Sequence, residues 1–210
     1  MTNLMDVVFK WQTLVGSILG GVFALSTALI VARSARRRDE QAAAMVVSAI
    51  LAAVRVASET LSTLSTQEGV SEENYSLWFA EKIAHLHPSM PVLFDASAAR
   101  LMSTDVSLAA HLSLFQHTYS QTESIIKRIS DDYEYFHKHG KAFRPQDIMK
   151  ADCRVVTKQF HFAAEHANCA LYLISILVLS RIAFVYRLRR YVWHNKTERQ
   201  CMDIFKKGSS

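Results

Sequence analysis

Residues that break helices are scarce in this chain. Its 210 residues include 6 glycines and 3 prolines, and no run has the alternation that predicts a β-strand. Cysteine is scarce too, because the 3 cysteines have neither the spacing of a metal site nor an evident pairing. We therefore expect an all-α fold without a disulfide, a metal or a cofactor.

Motifs of the common enzyme classes are also missing. The sequence contains no P-loop, no dinucleotide fingerprint, no nucleophile elbow and no zinc signature. The acidic residues Asp131, Asp132 and Glu134 lie together near a predicted helix end, and we interpret them as a solvated patch. The sequence therefore favours a protein that is not an enzyme.

The longest uncharged run is "WQTLVGSILGGVFALSTALIVA", residues 11–32. As a helix this run rises about 33 Å, which covers a hydrocarbon core of about 30 Å. A cleaved signal peptide carries its basic residues before the apolar run, whereas here they follow it. We predict a transmembrane helix over residues 11–32, preceded by a short extracytoplasmic segment, residues 1–10.

Basic residues are unequally divided between the two flanks of the span. Lys10 precedes it, and the residues that follow include Arg33, Arg36, Arg37 and Arg38. By the positive-inside rule, residues 33–207 form a cytoplasmic domain of a protein in a bacterial inner membrane, with the N-terminus outside. We interpret residues 208–210 as a tag remnant.

Small residues recur at every fourth position of the span. This small-residue stripe comprises Gly16, Gly20, Ala24, Ala28 and Ala32. Helices approach closely at such stripes, because in lipid they associate through van der Waals packing rather than through the hydrophobic effect. The stripe predicts a homo-oligomer, although no ionisable residue within the span marks an ion path.

Helical periodicity continues beyond the span. Without a helix breaker in this region, we expect one helix from about Val8 to Thr66. Its second half has apolar residues at alternating spacings of three and four, which form an a/d seam. The seam residues are Val47, Ile50, Val54, Ala57, Leu61 and Leu64. The seam either continues the association between copies or packs against later helices of the same chain.

Local signals predict the next two helices. Ser71 is a good N-cap for a helix that ends near Leu86, because Pro88 stops it. A short helix capped by Asp95 then runs through Leu101.

Two further helices follow. Ser103 or Thr104 can cap a long helix that ends near Gly140, where glycine can take the left-handed conformation. The last helix starts at Pro145 and runs past Val192.

The apolar centre of the last predicted helix is "ANCALYLISILVLS". It is shorter than a membrane crossing requires, and a second crossing would place arginines outside. We predict a fully buried core helix, with a second membrane segment over residues 167–186 as the alternative.

The segment "PVLFDASAARLMSTDVSLAAHLSLFQHTY" has an aromatic residue and Asp before a short Ala-rich helix, followed by a capped long helix. Together with the "WQTL" start of the span, it resembles a group of uncharacterised bacterial single-pass, helical membrane proteins. Some members are effectors of antiphage defence. The resemblance implies that role for this chain, with a protein of the same operon as a partner.

The net charge of +5 derives largely from the juxtamembrane arginines and the C-terminal third. There, basic and aromatic side chains alternate in a segment that includes Arg187, Arg189, Arg190, Tyr191, Trp193 and His194. Arginine binds phosphates and planar rings stack on bases, so the segment predicts a site for single-stranded nucleic acid or a nucleotide messenger. The alternative is that these side chains are solvated or touch anionic lipid.

Two Arg-His spacings suggest a competing enzymatic function. Arg189 with His194 gives R-x4-H, and Arg154 with His161 gives R-x6-H. Both resemble the motif of HEPN-type ribonucleases, in which Arg holds a phosphate and His moves a proton. The favoured hypothesis is a homo-oligomeric membrane effector that conducts ions or perturbs the membrane when a ligand binds. The alternatives are a membrane-tethered HEPN-like ribonuclease and a non-catalytic scaffold.

Overall fold

The structure is a computed structural model, which describes residues 4–140, 144–180, 185–186, 188–189 and 195–207. All regular structure in these residues is helical, as the sequence predicts. The helices are α1 (Leu4–Gln67), α2 (Glu72–Leu86), α3 (Phe94–Met102), α4 (Val106–His139), α5 (Gln146–Ile174) with a π-helical turn after it (Ser175–Leu179), and α6 (Lys196–Lys207). The chain divides into two compact units, Met1–Gln41 and Ala42–Ser210, and α1 contributes residues to both.

The first unit consists of the N-terminal part of α1. Every side chain whose exposure is described between Trp11 and Asp39 is exposed. The most apolar window of the helix has a mean hydropathy of 2.2, and none of that window is buried. By length and composition this helix can cross a membrane, in agreement with the predicted span.

The second unit has its own hydrophobic core. The a/d seam of α1 lies in it: Val47, Val54 and Leu61 are fully buried, and the other seam residues are half-buried. The seam therefore packs within the unit, which is the second of the two alternatives that the sequence left open. Large aromatic side chains from the other helices complete the core, namely Phe79, Phe94, Phe115, Tyr119 and Phe160.

Helix α2 has the predicted ends. Gly69, with a φ of 62°, turns the chain after α1, and Ser71 takes the extended backbone of an N-cap. The backbone N–H of Asn74 donates to the Ser71 carbonyl at 3.0 Å. The helix ends at Leu86, because the residue before Pro88 is driven out of the helical region, and His87 is indeed extended.

The predicted cap of α3 is wrong. The N-cap position is Leu93, and Asp95 lies inside the first turn. Its carboxylate instead accepts a 2.7 Å hydrogen bond from the Nε2 of Gln116 on α4. The acidic side chain still favours the positive end of the helix dipole, so it stabilises α3 without capping it.

The predicted caps of α4 are also wrong. The hydroxyl of Ser103 donates back to the Arg100 carbonyl at 2.8 Å, and that of Thr104 to the Leu101 carbonyl at 2.7 Å. Both hydroxyls thus serve the end of α3, where carbonyls lack helical partners. Asp105 caps α4 in their place, since its Oδ1 accepts from the backbone N–H of Leu108 at 3.0 Å.

The end of α4 is predicted correctly, but the helix that follows is not. Gly140 has a φ of 64°, so α4 ends at His139. Pro145 is the N-cap of α5 rather than its first residue. A single helix running past Val192 is wrong, because the π-helical turn ends at Leu179 and Ser180 is extended.

A separate helix, α6, begins after Asn195. The Asn195 side-chain oxygen accepts from the Thr197 backbone N–H at 2.7 Å, and the Glu198 carboxylate accepts from the Asn195 backbone N–H at 2.9 Å. These reciprocal bonds form a capping box, which marks the start of a helix. The box gives α6 its own start, after the break at Ser180.

The apolar segment from residue 167 to residue 180 lies in the core of the second unit. Ala170, Ile174 and Leu177 are fully buried, whereas Ser175 and Leu179 are exposed, so the expectation of a fully buried helix is too strong. The helix Asp147–Leu179 is also long and apolar enough to cross a membrane, and 56% of its most apolar window is buried.

An ion-pair network joins the end of α4 to the start of α5. Arg144 donates through Nε to Asp132 at 2.7 Å and through Nη1 to Asp152 at 2.8 Å, with a further Nη2 contact to Asp132. The Asp132 side chain is only 7% exposed, so its place in a solvated patch is a wrong prediction. The guanidinium compensates the cost of burying the carboxylate.

Replacing Arg144 by Met should lower the free energy of unfolding by about 3 kcal/mol, because a buried carboxylate loses its counter-ion. The measurement is urea unfolding of the detergent-solubilised protein. Arg128→Met is the matched control, since Arg128 is 56% exposed and lies 3.7 Å from Asp152. Its loss should be below about 1 kcal/mol, and equal losses for the two variants would contradict this prediction.

Candidate functional site

The small-residue stripe lies on the exposed surface of α1 in the first unit. Gly16, Gly20, Ala24, Ala28 and Ala32 are all exposed. Apart from its chain neighbours and the backbone of its own helix turn, a Cβ atom added at Gly16, Gly20 or Gly21 would meet no described atom within 4 Å. The stripe is thus a surface at which another helix backbone can approach closely.

A group of exposed cations follows the span on the same helix. Its members are Arg33, Arg36, Arg37 and Arg38. Arg36 is 69% exposed and its Nε lies 2.9 Å from Glu40 one turn later, which makes an ordinary surface ion pair. These side chains can contact anionic headgroups, which is the usual role of basic residues next to a span.

The predicted ligand-binding segment is described only at Arg189. This side chain is exposed, and its Cζ lies 5.7 Å from the centroid of the Tyr186 ring, within the range of a cation–π contact. The remaining predicted residues lie outside the described part of the chain, namely Arg187, Arg190, Tyr191, Trp193 and His194. The pairing of Arg with an aromatic ring is therefore observed once.

Arg154 and His161 lie on α5, about 10.5 Å apart along the helix axis. Arg154 is exposed, whereas His161 is half-buried. The His161 Nδ1 lies 3.2 Å from the Ser58 hydroxyl, and its Nε2 lies 3.1 Å from the Tyr75 hydroxyl. Because both ring nitrogens are engaged, His161 ties α1, α2 and α5 together rather than facing a phosphate held by Arg154.

The contact between Ser58 and His161 also resembles the start of a nucleophilic dyad. Such a dyad needs free N–H donors beside the serine to stabilise an oxyanion. Ser58 lies in the interior of α1, where the backbone N–H groups are used by the helix itself. Hydrogen bonding between helices is therefore the better description of this contact.

A buried cluster of histidine and cysteine lies between α4, α5 and α6. The ligand atoms of His111, Cys169 and Cys201 all lie within 4.8 Å of one another. His166 joins them, since its Nδ1 is 2.9 Å from the Nδ1 of His111. All four side chains are at most 5% exposed. We refer to these residues as the His/Cys cluster, and they are the described residues best placed to hold a metal.

Burial and a hydrogen bond shift the pKa values of two members of the His/Cys cluster. It lowers the pKa of His166 to about 4, so the imidazole is neutral near pH 7. A hydrogen bond with Cys201, together with burial, raises the pKa of the Cys169 thiol. Cys153 lies elsewhere in the core, where burial and Asp152 raise its pKa to about 11, so this thiol is unreactive.

Sequence reasoning missed the His/Cys cluster. His166 and Cys169 are three residues apart, which places them on one face of α5 and was the only local signal. His111 and Cys201 are remote in sequence, and Cys201 belongs to a helix that was not predicted. Their juxtaposition depends on how the helices pack.

Two surface clefts lie beside α4. One is lined by Arg128, Asp131, Asp132, Tyr135 and Arg144, and in it Arg144 pairs with Asp132. The other is lined by polar side chains that include Glu123 and Lys127. Neither brings together a nucleophile, a base and an oxyanion site.

The fold and these surfaces define an all-helical protein with an apolar N-terminal helix that can span a membrane. In comparisons with protein-family models, with curated proteins and with solved structures, nothing matches the chain. Function is therefore inferred from the residues themselves.

His161 should make the second unit less stable in acid. Burial lowers the pKa of His161 in the folded protein. Below about pH 6.5 the unfolded chain therefore binds a proton at this residue more readily than the folded protein does, and the stability decreases as the pH is lowered. Glutamine retains hydrogen-bonding groups but does not titrate. We expect His161→Gln to flatten the decline in thermal midpoint between about pH 6.5 and 5. His117→Gln, at an exposed histidine of α4, should keep the full decline, and an unchanged slope in His161→Gln would contradict the prediction.

Proposed function

We propose that this chain is a membrane-anchored effector that acts as a homo-oligomer, with anchor helices that meet through the small-residue stripe. One observation carries the proposal: the most apolar window of α1 is 0% buried. Exposed apolar surface of this extent marks a site covered by a membrane or a partner. The arginines that follow the span favour a cytoplasmic location for the rest of the chain.

A bilayer accounts for most of the exposed surface. Large apolar side chains point outwards around the helix, as shown by Trp11, Phe23 and Ile30, which are 64%, 71% and 68% exposed. A helix that is apolar on all sides belongs in lipid or in a large core. The described residues of the first unit provide no such core, so lipid is the environment that we infer.

The stripe accounts for contact between copies. Lipid tails solvate leucine and phenylalanine as well as another helix does, so large side chains give little reason to associate. Glycine and alanine differ because they allow two backbones to approach closely, which increases the number of van der Waals contacts. The open surface at Gly16 and Gly20 supports this use.

An effect on the membrane requires more than one copy, since a single helix cannot enclose water. The polar side chains of the span are Gln12 near its start and Thr13, Ser17, Ser26 and Thr27, and the Thr27 hydroxyl donates to the Phe23 carbonyl at 2.9 Å. An assembly with so few polar groups would conduct ions weakly or disturb lipid order. We propose a membrane-perturbing or ion-conducting activity on this basis.

A ligand that prefers one arrangement of the cytoplasmic bundle would control this activity. The basic and aromatic segment near Arg189 is the proposed sensor, and its chemistry suits a nucleotide or single-stranded nucleic acid. The stacking of Arg189 on Tyr186 supports this proposal. The resemblance to anchored antiphage effectors suggests that such a ligand is formed during phage infection.

Gly20→Leu should disrupt the assembly. The added side chain blocks close approach at the stripe, and we expect association to weaken about tenfold, or about 1.4 kcal/mol. The measurement is the mass of the detergent-solubilised particle over a range of protein concentrations.

Gly21→Leu is the matched control. Gly21 is the next residue, about 100° around the helix, and its site is equally open. The particle mass should be unchanged in this variant. A monomeric wild-type protein, or equal dissociation of both variants, would contradict association through the stripe.

The membrane activity should not depend on the Arg-His spacings. We expect expression to lower the membrane potential, Arg154→Ala, at an exposed residue outside the proposed sensor, to retain this effect, and purified protein to leave a mixed RNA substrate intact. RNA cleavage that His161→Ala or His194→Ala abolishes would instead support the HEPN-like ribonuclease. Expression without any effect on the potential would favour a scaffold.

A further inference from the structure

We propose that the His/Cys cluster binds one Zn²⁺ ion through His111, His166, Cys169 and Cys201. All four residues belong to the second unit, so this site is independent of the proposed membrane function. The proposal depends on the identity of the donors, their spacing, their burial and the helices that carry them.

The donor set suits zinc. Two thiolates and two neutral imidazoles form the Cys₂His₂ set of tetrahedral structural zinc sites. Carboxylates and carbonyls, which bind Mg²⁺ and Ca²⁺, are absent from these four donors. A Cys169–Cys201 disulfide would use the two sulfur atoms, but it would not account for the His111 nitrogen, which lies within 4.8 Å of both.

The spacing of the donors suits a single ion. Zn–S bonds of about 2.3 Å and Zn–N bonds of about 2.0 Å place tetrahedral ligand atoms about 3.3 to 3.8 Å apart. The two Nδ1 atoms lie 2.9 Å apart, and the donors of His111, Cys169 and Cys201 lie within 4.8 Å of one another. His166 is not part of this three-donor group, so the proposal requires its ring to turn towards the two sulfur atoms when the ion binds.

Three helices bring the donors together. His166 and Cys169 lie on one face of α5, His111 comes from α4 and Cys201 from α6. A hydrogen bond from the Asn195 Nδ2 to the Tyr172 hydroxyl, at 2.9 Å, holds the start of α6 against α5. This contact fixes Cys201 in place before a metal binds.

Burial indicates what the ion does. Catalytic zinc keeps a coordination position open to water or substrate, whereas structural zinc has four protein ligands. With four donors that are at most 5% exposed, the site is closed. The ion therefore fastens α6 to α4 and α5, and binding it displaces the thiol protons.

The first test is the zinc content of the full-length protein, purified in detergent without chelators and then dialysed. We expect about one zinc per chain. Cys169→Ser, Cys201→Ser and His111→Gln should each lower the content at least about tenfold. Cys153→Ser is the matched control, because Cys153 is also a buried cysteine of α5, and it should keep its zinc.

A second measurement keeps the proposal testable if a variant fails to fold. Metal-free wild-type protein titrated with Co²⁺ should develop the strong visible absorption of tetrahedral cobalt bound to thiolates, and Zn²⁺ should abolish it. A chelator should also make α6 more sensitive to proteolysis. Wild-type protein that binds neither ion, zinc that persists when both Cys169 and Cys201 are serine, or a native Cys169–Cys201 disulfide would overturn the proposal.

Discussion

The exposed apolar surface of α1 is the constraint on which the rest of this molecule depends. Burial of apolar surface stabilises by about 25 cal/mol per Å², so a helix that leaves large side chains such as Phe23 and Leu25 exposed requires an apolar environment. No described residue of the first unit covers them. Membrane insertion, as proposed, would cover the large side chains and leave the small ones to decide which helices meet. The proposed location and the proposed assembly thus rest on two different sets of residues on one helix.

Apolar side chains are distributed differently around α1 in the two units. In the first, apolar residues occupy all sides, as expected where the surroundings are apolar. In the second, burial is confined to one side of the helix: Val47, Leu51 and Val54 are fully buried, while Met45 and Val56 are exposed at 70% and 51%. The change from apolar residues on all sides to apolar residues buried on one side is the change expected where a helix leaves lipid and joins a protein core. A single pattern of hydrophobicity would fit only one of these environments.

Local signals were enough for much of the fold. A proline, a positive-φ glycine and an N-cap each act within a few residues, so the ends of α2 and the end of α4 at Gly140 were predictable. The single long final helix was wrong because the chain leaves the helix at Ser180, where no Gly or Pro marks an end, whereas the Asn195–Glu198 capping box was a local signal for the start of α6. Asp132 and the His/Cys cluster could not be predicted in this way. Their environment is created by residues from other helices, which have no fixed spacing in sequence.

His161 and Arg144 share one role in the second unit, because each joins helices whose register hydrophobic packing alone would not fix. His161 connects three helices by hydrogen bonds, and Arg144 joins α4 and α5 by charge. Hydrophobic contacts are tolerant of small shifts, whereas hydrogen bonds and ion pairs are directional, so these contacts fix the register of the bundle. A tetrahedral metal ion would fix the position of α6 in the same way, with stricter geometry than a hydrogen bond or an ion pair. The short helix α6 is mostly polar, so it has little apolar surface with which to pack. Because it carries Cys201, the proposed zinc ion would add a link to α4 and α5 where hydrophobic packing is weakest.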